Sequence, residues 1–237
     1  MFIKRYVVAS LLLGAMLFGL AGVAAATPLT VKPDVALREA FPQVRFDKVV
    51  PTDIPGLYEV DSGANIFYYY QEKDYILTGD IIGKDLKSRT AARRSAMAAE
   101  AAKSLPLDKA VKVGDGKKVV IEFTDPDCPF CRKAFEYFSK RSDVTQYVFF
   151  APLAHPAAIT KIQYILGAEN KAQAFDAMML GQEIPAGAKP PTPEIRALAQ
   201  EHLALARQVG VQGTPTFFIN GEMVVGVDTK KIDELLK

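Results

Sequence analysis

Phe123-Thr124-Asp125-Pro126-Asp127-Cys128-Pro129-Phe130-Cys131 decides how this chain is read. The stretch completes the apolar run that starts at Val119-Val120-Ile121-Glu122, and it holds the only two cysteines among 237 residues. A near-continuous apolar run is the pattern of a strand covered on both faces. Pro129 suits the first turn of a helix, where its missing N–H would have had no partner. The two thiols therefore stand where a strand, 117–123, gives way to a helix, 130–140, with Cys128 at the helix N-terminus. Unpaired backbone N–H groups and the macrodipole favour a thiolate at that place. A thiolate at Cys128 attacks a disulfide and forms a mixed disulfide; Cys131, one turn further and more buried, resolves it. A plain stabilising disulfide and a zinc site are the rival uses of the pair. A loop this short closes little chain entropy, which makes a poor staple. His155 and His202 are the only imidazoles, and their spacing fits no common zinc pattern. The expectation is a redox pair with no metal and no cofactor, and histidines that serve as surface or helix-packing residues.

Working outward, Tyr147–Phe150 reads as a second buried strand, so strand, helix and strand form a parallel βαβ unit. Residues 156–208 read as mainly helical, broken by a loop holding Pro185, Pro190, Pro191 and Pro193. Thr216–Ile219 and Glu222–Val225 flank Asn220-Gly221, a type I′ hairpin signal. Thr229–Leu236 closes the chain as a helix with Asp228 as its N-cap. On the N-terminal side, 32–41 reads as a short helix stopped by Pro42. Val44–Val49, Leu57–Asp61, Ile66–Tyr70 and Tyr75–Leu77 then form an antiparallel meander. In the run Phe67-Tyr68-Tyr69-Tyr70, alternation sends two side chains to the core and two to a partner or solvent. A unit of about 55 residues is thin for an independent core. Asp85–Leu105 holds no Gly or Pro and reads as a helix. Its small and polar residues suit a connector, with Arg89, Arg93 and Arg94 as a solvated face. Residues 106–116 read as a loop.

The first 26 residues read as a secretory signal: Lys4 and Arg5, then an uncharged apolar stretch, then Ala24-Ala25-Ala26 as a cleavage site. An uncleaved anchor is the rival, because the apolar stretch nearly spans a bilayer. Lys4 and Arg5 are the only charges in that segment, so the remainder balances 27 basic against 27 acidic residues. A neutral chain gives no electrostatic reason to expect nucleic acid as a partner. Export implies an oxidising compartment, where a cysteine pair can be oxidised.

The order of elements resembles the thioredoxin fold with a helical insertion, and Gly213-Thr214-Pro215-Thr216 matches the cis-proline loop that faces the cysteines in that fold. More closely, the chain resembles the periplasmic disulfide isomerases of the DsbC/DsbG type. Phe123–Cys131 and Gly210-Val211-Gln212-Gly213-Thr214-Pro215 look like their two active-site segments, and the meander and following helix look like their dimerisation domain and linker. The resemblance implies an α+β N-terminal dimerisation domain (27–84), a linker helix (85–106) and an α/β thioredoxin-like catalytic domain (107–237) with a helical insertion at about 156–208. It also implies a V-shaped homodimer acting on misfolded, disulfide-bearing secreted proteins and kept reduced by a membrane thiol reductant of the DsbD type. Cys128 is then the nucleophile and Cys131 the resolving thiol, cycling through a Cys128–Cys131 disulfide. Thr214 and Pro215, with Pro129 and Phe130, lie on the substrate side. The departure is the lack of further cysteines, so packing alone must hold the insertion.

Glu122 lies six residues before Cys128, where thioredoxin and the DsbA-type oxidants carry a buried acid. A carboxyl in a dry site has a raised pKa and can take the proton of a resolving thiol, here Cys131. The competing reading puts Glu122 at a solvated sheet edge. Asp125 and Asp127 read as turn formers or as groups that tune Cys128. Besides an isomerase or reductase, the chain can be read as a monomeric DsbA-like thiol oxidant, a sulfenic-acid reductase, or chiefly a holdase chaperone.

Overall fold

A computed structural model describes residues 31–237; the signal-sequence reading lies outside them. The first sheet is an antiparallel meander in the order β1 (Lys48–Pro51), β2 (Leu57–Ser62), β3 (Asn65–Tyr70) and β4 (Tyr75–Leu77). The strand expected from Val44 starts later, at Lys48. The chain is still turning after Pro42, with the Val44 N–H bonded to the Phe41 carbonyl. Helix α1 (Pro33–Ala40) lays Leu37 on one face of the sheet, in a cluster with Val60 and Tyr69.

The opposite face meets helix α2 (Arg89–Ala102). Tyr68 on that face shares a 2.5 Å hydrogen bond with Thr90 Oγ1. Tyr68 and Tyr69 are therefore both buried, and the aromatic run leaves no face of β3 open to solvent as the alternation alone suggested. Three expectations for α2 are corrected. It starts at Arg89, because 85–88 form a turn in which Leu86 has φ 58° and Ser88 caps the helix by accepting from the Ala91 N–H. Its arginines are only in part a solvated face: Arg89 is exposed, but Arg93 reaches Glu59 and Asp61 at 3.0 Å each and Arg94 pairs with Asp80 at 3.2 Å. Nor is it merely a connector. Ala98, Ala99 and Ala102 are buried in one cluster with Phe123, Phe149 and Phe218 of the second sheet and with Ala206 near the C-terminus of the helix at 193–208. The small side chain of alanine lets the helix backbone approach the sheet closely.

The second sheet has five strands in the order β5-β7-β6-β8-β9: β5 (Val111–Val113), β6 (Lys118–Thr124), β7 (Val144–Phe150), β8 (Thr216–Ile219) and β9 (Glu222–Val225). Only β6 and β7 are parallel; the other pairs are antiparallel. The expected loop at 106–116 contains a 3₁₀ turn at Leu107–Lys109 and then β5, an edge strand of three residues too short to show alternation. Asn220 and Gly221 both have positive φ, 49° and 81°, as a type I′ turn requires. Helix α3 (Pro129–Phe138) joins β6 to β7 and buries Cys131, Ala134 and Phe138, spaced three and four apart on one face. Phe138 packs on Phe217 with ring centroids 5.3 Å apart, and truncating it to Ala would cost about 3–5 kcal/mol.

Between β7 and β8 lie α4 (Ile159–Gly167), α5 (Lys171–Met179) and α6 (Pro193–Gln208). Pro193 belongs to the first turn of α6, which Thr192 caps; its fixed φ suits that position. Ile162, Ile165, Leu166, Phe175, Met178 and Met179 of α4 and α5 form one buried cluster with Cys131, Val148 and Phe150. His202 on α6 is fully buried, its Nδ1 accepting the Phe150 N–H at 3.2 Å. It is a core residue that holds α6 to the end of β7. Helix α7 (Thr229–Leu235) closes the fold, with Asp228 Oδ1 accepting the Lys231 N–H.

Candidate active site

The site is assembled at the C-terminal end of β6, the middle strand of its sheet. Asp125 begins the turn out of the strand. Its Oδ1 accepts the Asp127 N–H at 2.9 Å, and its carbonyl accepts the Cys128 N–H at 3.0 Å. This side-chain-to-backbone turn is what Asp favours, and it delivers Cys128 to the N-cap position of α3. Asp127 pairs with Lys161 on α4 at 2.5 Å, while Arg132 Nε donates to the Pro126 carbonyl at 3.0 Å. The loop is thus tied from both sides.

Both cysteines are free thiols. Cys128 is 6% exposed and Cys131 fully buried. The Cys128 thiol points to the Thr214 carbonyl, 3.5 Å away. The Thr214–Pro215 peptide is cis, so the cis-proline loop expected from the sequence does face the cysteines. Phe130 is 58% exposed beside them, with the Lys133 ammonium 5.5 Å from its ring centre. The cis-proline loop also forms one wall of a cavity of about 290 Å³, through Gln212, Gly213 and Thr216; α2 supplies the opposite wall with Met97, Ala98 and Ala101.

Glu122 is 1% exposed. The solvated-edge reading of Glu122 does not hold, because β6 is flanked by β7 and β8. Burial pushes its carboxyl up to about 7, partly offset by the neighbouring Thr124 and Gln146 side chains. Gln146 Nε2 donates to Oε2 at 2.7 Å. Cys131 lies on the same side of the sheet; burial raises its pKa far above an ordinary thiol, and the Glu122 charge raises it further.

Three side chains escaped the sequence reading. Gln146 interrupts the apolar pattern of β7, the one signal that could have exposed it. Thr124 lies within polar reach of both Cys131 and Glu122. His155, read as a surface or helix-packing residue, bonds the buried Asp125 Oδ2 through Nδ1 at 2.8 Å. The pairing joins residues 30 apart, and no local pattern announces it.

Comparison with known proteins agrees with this architecture. Residues 105–237 match the thioredoxin-like domain family and residues 22–91 the disulfide bond isomerase protein N-terminal domain family. A probable thiol:disulfide interchange protein DsbC of Bordetella pertussis is 34% identical over 201 residues, which is 81% of this chain and 69% of that protein. The chain belongs to the DsbC family. Within it, the thiol:disulfide interchange protein DsbC of Escherichia coli K12 is 26% identical over 231 residues, 92% of each chain. A disulfide interchange protein from Neisseria gonorrhoeae aligns structurally at 34% identity and a TM-score of 0.48, over 56% of this chain and 99% of that one. As a DsbC-family chain it has the two-part layout read from the sequence, an N-terminal α+β part joined by a helix to a thioredoxin-like part.

Proposed function

We propose that this DsbC-family protein isomerises or reduces wrong disulfides in secreted proteins of the periplasm through a Cys128/Cys131 dithiol. The observation that carries the reading is Cys128 at the N-cap of α3, with its sulfur turned to the Thr214 carbonyl of the cis-proline loop. Unpaired first-turn N–H groups and the helix dipole favour negative charge at that end of a helix. An extended substrate chain pairing with the backbone at Thr214 would bring its disulfide to Cys128. Cys128 attacks one substrate sulfur, giving a mixed disulfide and a substrate thiolate. In isomerisation a second substrate thiol displaces Cys128. In reduction Cys131 displaces the substrate, and the Cys128–Cys131 disulfide then needs an electron donor, for which a membrane thiol reductant of the DsbD type is the fitting class. Glu122, buried near Cys131, takes the proton of the resolving thiol.

The division into an N-terminal domain (27–84), a linker (85–106) and a catalytic domain (107–237) goes with this reading, as does pairing of two chains through their N-terminal domains. Recovery of activity from a scrambled-disulfide substrate, scored for wild type and Cys128→Ala together with solution mass, tests it. The wild type should restore activity as a dimer and the variant should fail. Aggregation suppression that survives Cys128→Ala without any refolding by the wild type would instead mark a holdase. A monomeric mass would turn the assignment towards a thiol oxidant.

A further inference from the structure

Two buried oxygens beside the cysteines lack a well-aligned hydrogen-bond partner: Glu122 Oε1 and Thr124 Oγ1. A buried polar atom left this way costs about 1–3 kcal/mol, so its position asks for a reason. Glu122 and Thr124 are two apart on β6, so their side chains share one face of the sheet. That face also carries Val148, the β7 partner of Glu122, which packs with Cys131. Around the Glu122 carboxyl stand Gln146 and Val148 from β7, Phe217 as its register partner on β8, and Cys131 from α3. Cys131 and Glu122 influence each other only through space, without a hydrogen bond between them, whereas the Thr124 hydroxyl neighbours both and eases the ionisation of each. A carboxylate that is to receive the thiol proton therefore shares a hydroxyl neighbour with the sulfur. Hydroxyls can accept one proton while donating another.

We propose that Thr124 Oγ1 relays the Cys131 proton to Glu122 Oε1 during resolution of the mixed disulfide. The proposal deepens the functional reading above and rests on it. In the step, the Cys131 S–H bond breaks, its proton passes to Thr124 Oγ1, and the hydroxyl's own proton passes to Glu122 Oε1. The Cys131 thiolate attacks Cys128 Sγ, the Cys128–substrate S–S bond breaks, and the substrate sulfur leaves with the electron pair. The dithiol is oxidised by two electrons and the substrate disulfide is reduced by two. The carboxylate has become a carboxylic acid, which in the reverse direction returns the proton.

The test mixes the reduced protein rapidly with an excess of an aromatic nitrothiobenzoate disulfide. A first release of coloured thiolate, proportional to reagent, reports attack by Cys128. A second release, independent of reagent concentration, reports resolution by Cys131. Thr124→Val keeps the shape and removes the hydroxyl, and should slow the second release by roughly 10- to 100-fold, the scale of lost proton-transfer assistance. Thr124→Ser should restore it to within about threefold of wild type, allowing for one lost methyl group. In mixtures of light and heavy water the wild-type second phase should vary non-linearly with deuterium content, as two protons in flight require. A Val variant as fast as wild type, a Ser variant as slow as Val, or a linear wild-type response would overturn the relay. The last measurement does not depend on any variant folding. Absence of the first release in wild type would overturn the Cys128 reading instead, so the two failures are distinguishable.

Discussion

Gln146 donates its side-chain N–H to Glu122 Oε2 at 2.7 Å, from the strand next to the one that carries the acid. An amide stabilises a carboxylate through one hydrogen bond, whereas an ammonium in its place would add a full opposite charge. The Glu122 carboxyl is thereby left free to sit at about 7, where it can exchange a proton at neutral pH. Replacing Gln146 by Leu should raise the Glu122 pKa and replacing it by Lys should lower it, each by about one unit or more. Carboxyl stretching in the infrared, followed through a pH titration, reads the protonation directly; shifts of equal sign in the two variants would contradict the arrangement.

Burial of Glu122 has a cost that depends on pH. Its folded pKa of about 7 lies above the ordinary 4.5, so the folded chain holds a proton that the unfolded chain has lost between those values. Stability from this group is fully present below pH 4.5 and falls as pH rises through 7, by up to roughly 3 kcal/mol. Glu122→Gln removes the titration. The reduced variant should be more stable than wild type at about pH 8 and lose that advantage near pH 4.5. Urea unfolding of both proteins at the two pH values gives the comparison, and an equal difference at each would refute it.

His202 works in the opposite direction. Burial lowers its pKa from 6.5 to about 4, so the unfolded chain takes up a proton that the folded chain refuses. Stability from this group is present above pH 6.5 and is lost as pH falls towards 4, again on the order of 3 kcal/mol. In wild type the two titrations oppose each other between pH 4.5 and 6.5. In the Glu122→Gln background the acid loss due to His202 should emerge, visible as a thermal midpoint that drops steeply over that interval. A flat midpoint there would count against the assignment.

Arg93 holds α2 to the first sheet through Glu59 and Asp61. Asp61 is 6% exposed and its second oxygen has no partner, so Arg93 supplies most of its compensation. Arg93→Ala should cost about 1–3 kcal/mol, less than for a fully buried pair because the arginine is partly solvated. Adding Asp61→Asn should recover part of that loss. Denaturation midpoints of the single and double variants measure the coupling, and strict additivity would show that the contact contributes little.

The redox pair and the hairpin at Asn220-Gly221 could be read from the chain because each is a local signal with a local cause, and the cis-proline loop through the resemblance to the thioredoxin fold. Glu122 could be placed near the cysteines by its spacing along one strand. Other features depend on contacts between distant segments. The alanines of α2 became core residues only because Phe123, Phe149 and Phe218 offered them a surface. Arg93 was called solvated since its partners lie 32 and 34 residues earlier. Strand β5 is too short to carry a period, and it exists because β7 has a free side on which to add it. Thr124 lay just past the expected strand, and only the packing of α3 over the sheet gave its hydroxyl two neighbours.

The helices α4, α5 and α6 are held by aliphatic and aromatic packing, with Cys128 and Cys131 the thiols beside them and no sulfur elsewhere in the chain beyond the methionines. A catalyst that attacks disulfides thereby contains no structural disulfide to attack. Crowding many copies together gives them nothing to scramble in one another except the reactive pair itself. Its scaffold can also mature without an oxidant, so folding does not wait on the chemistry that the finished protein performs for others.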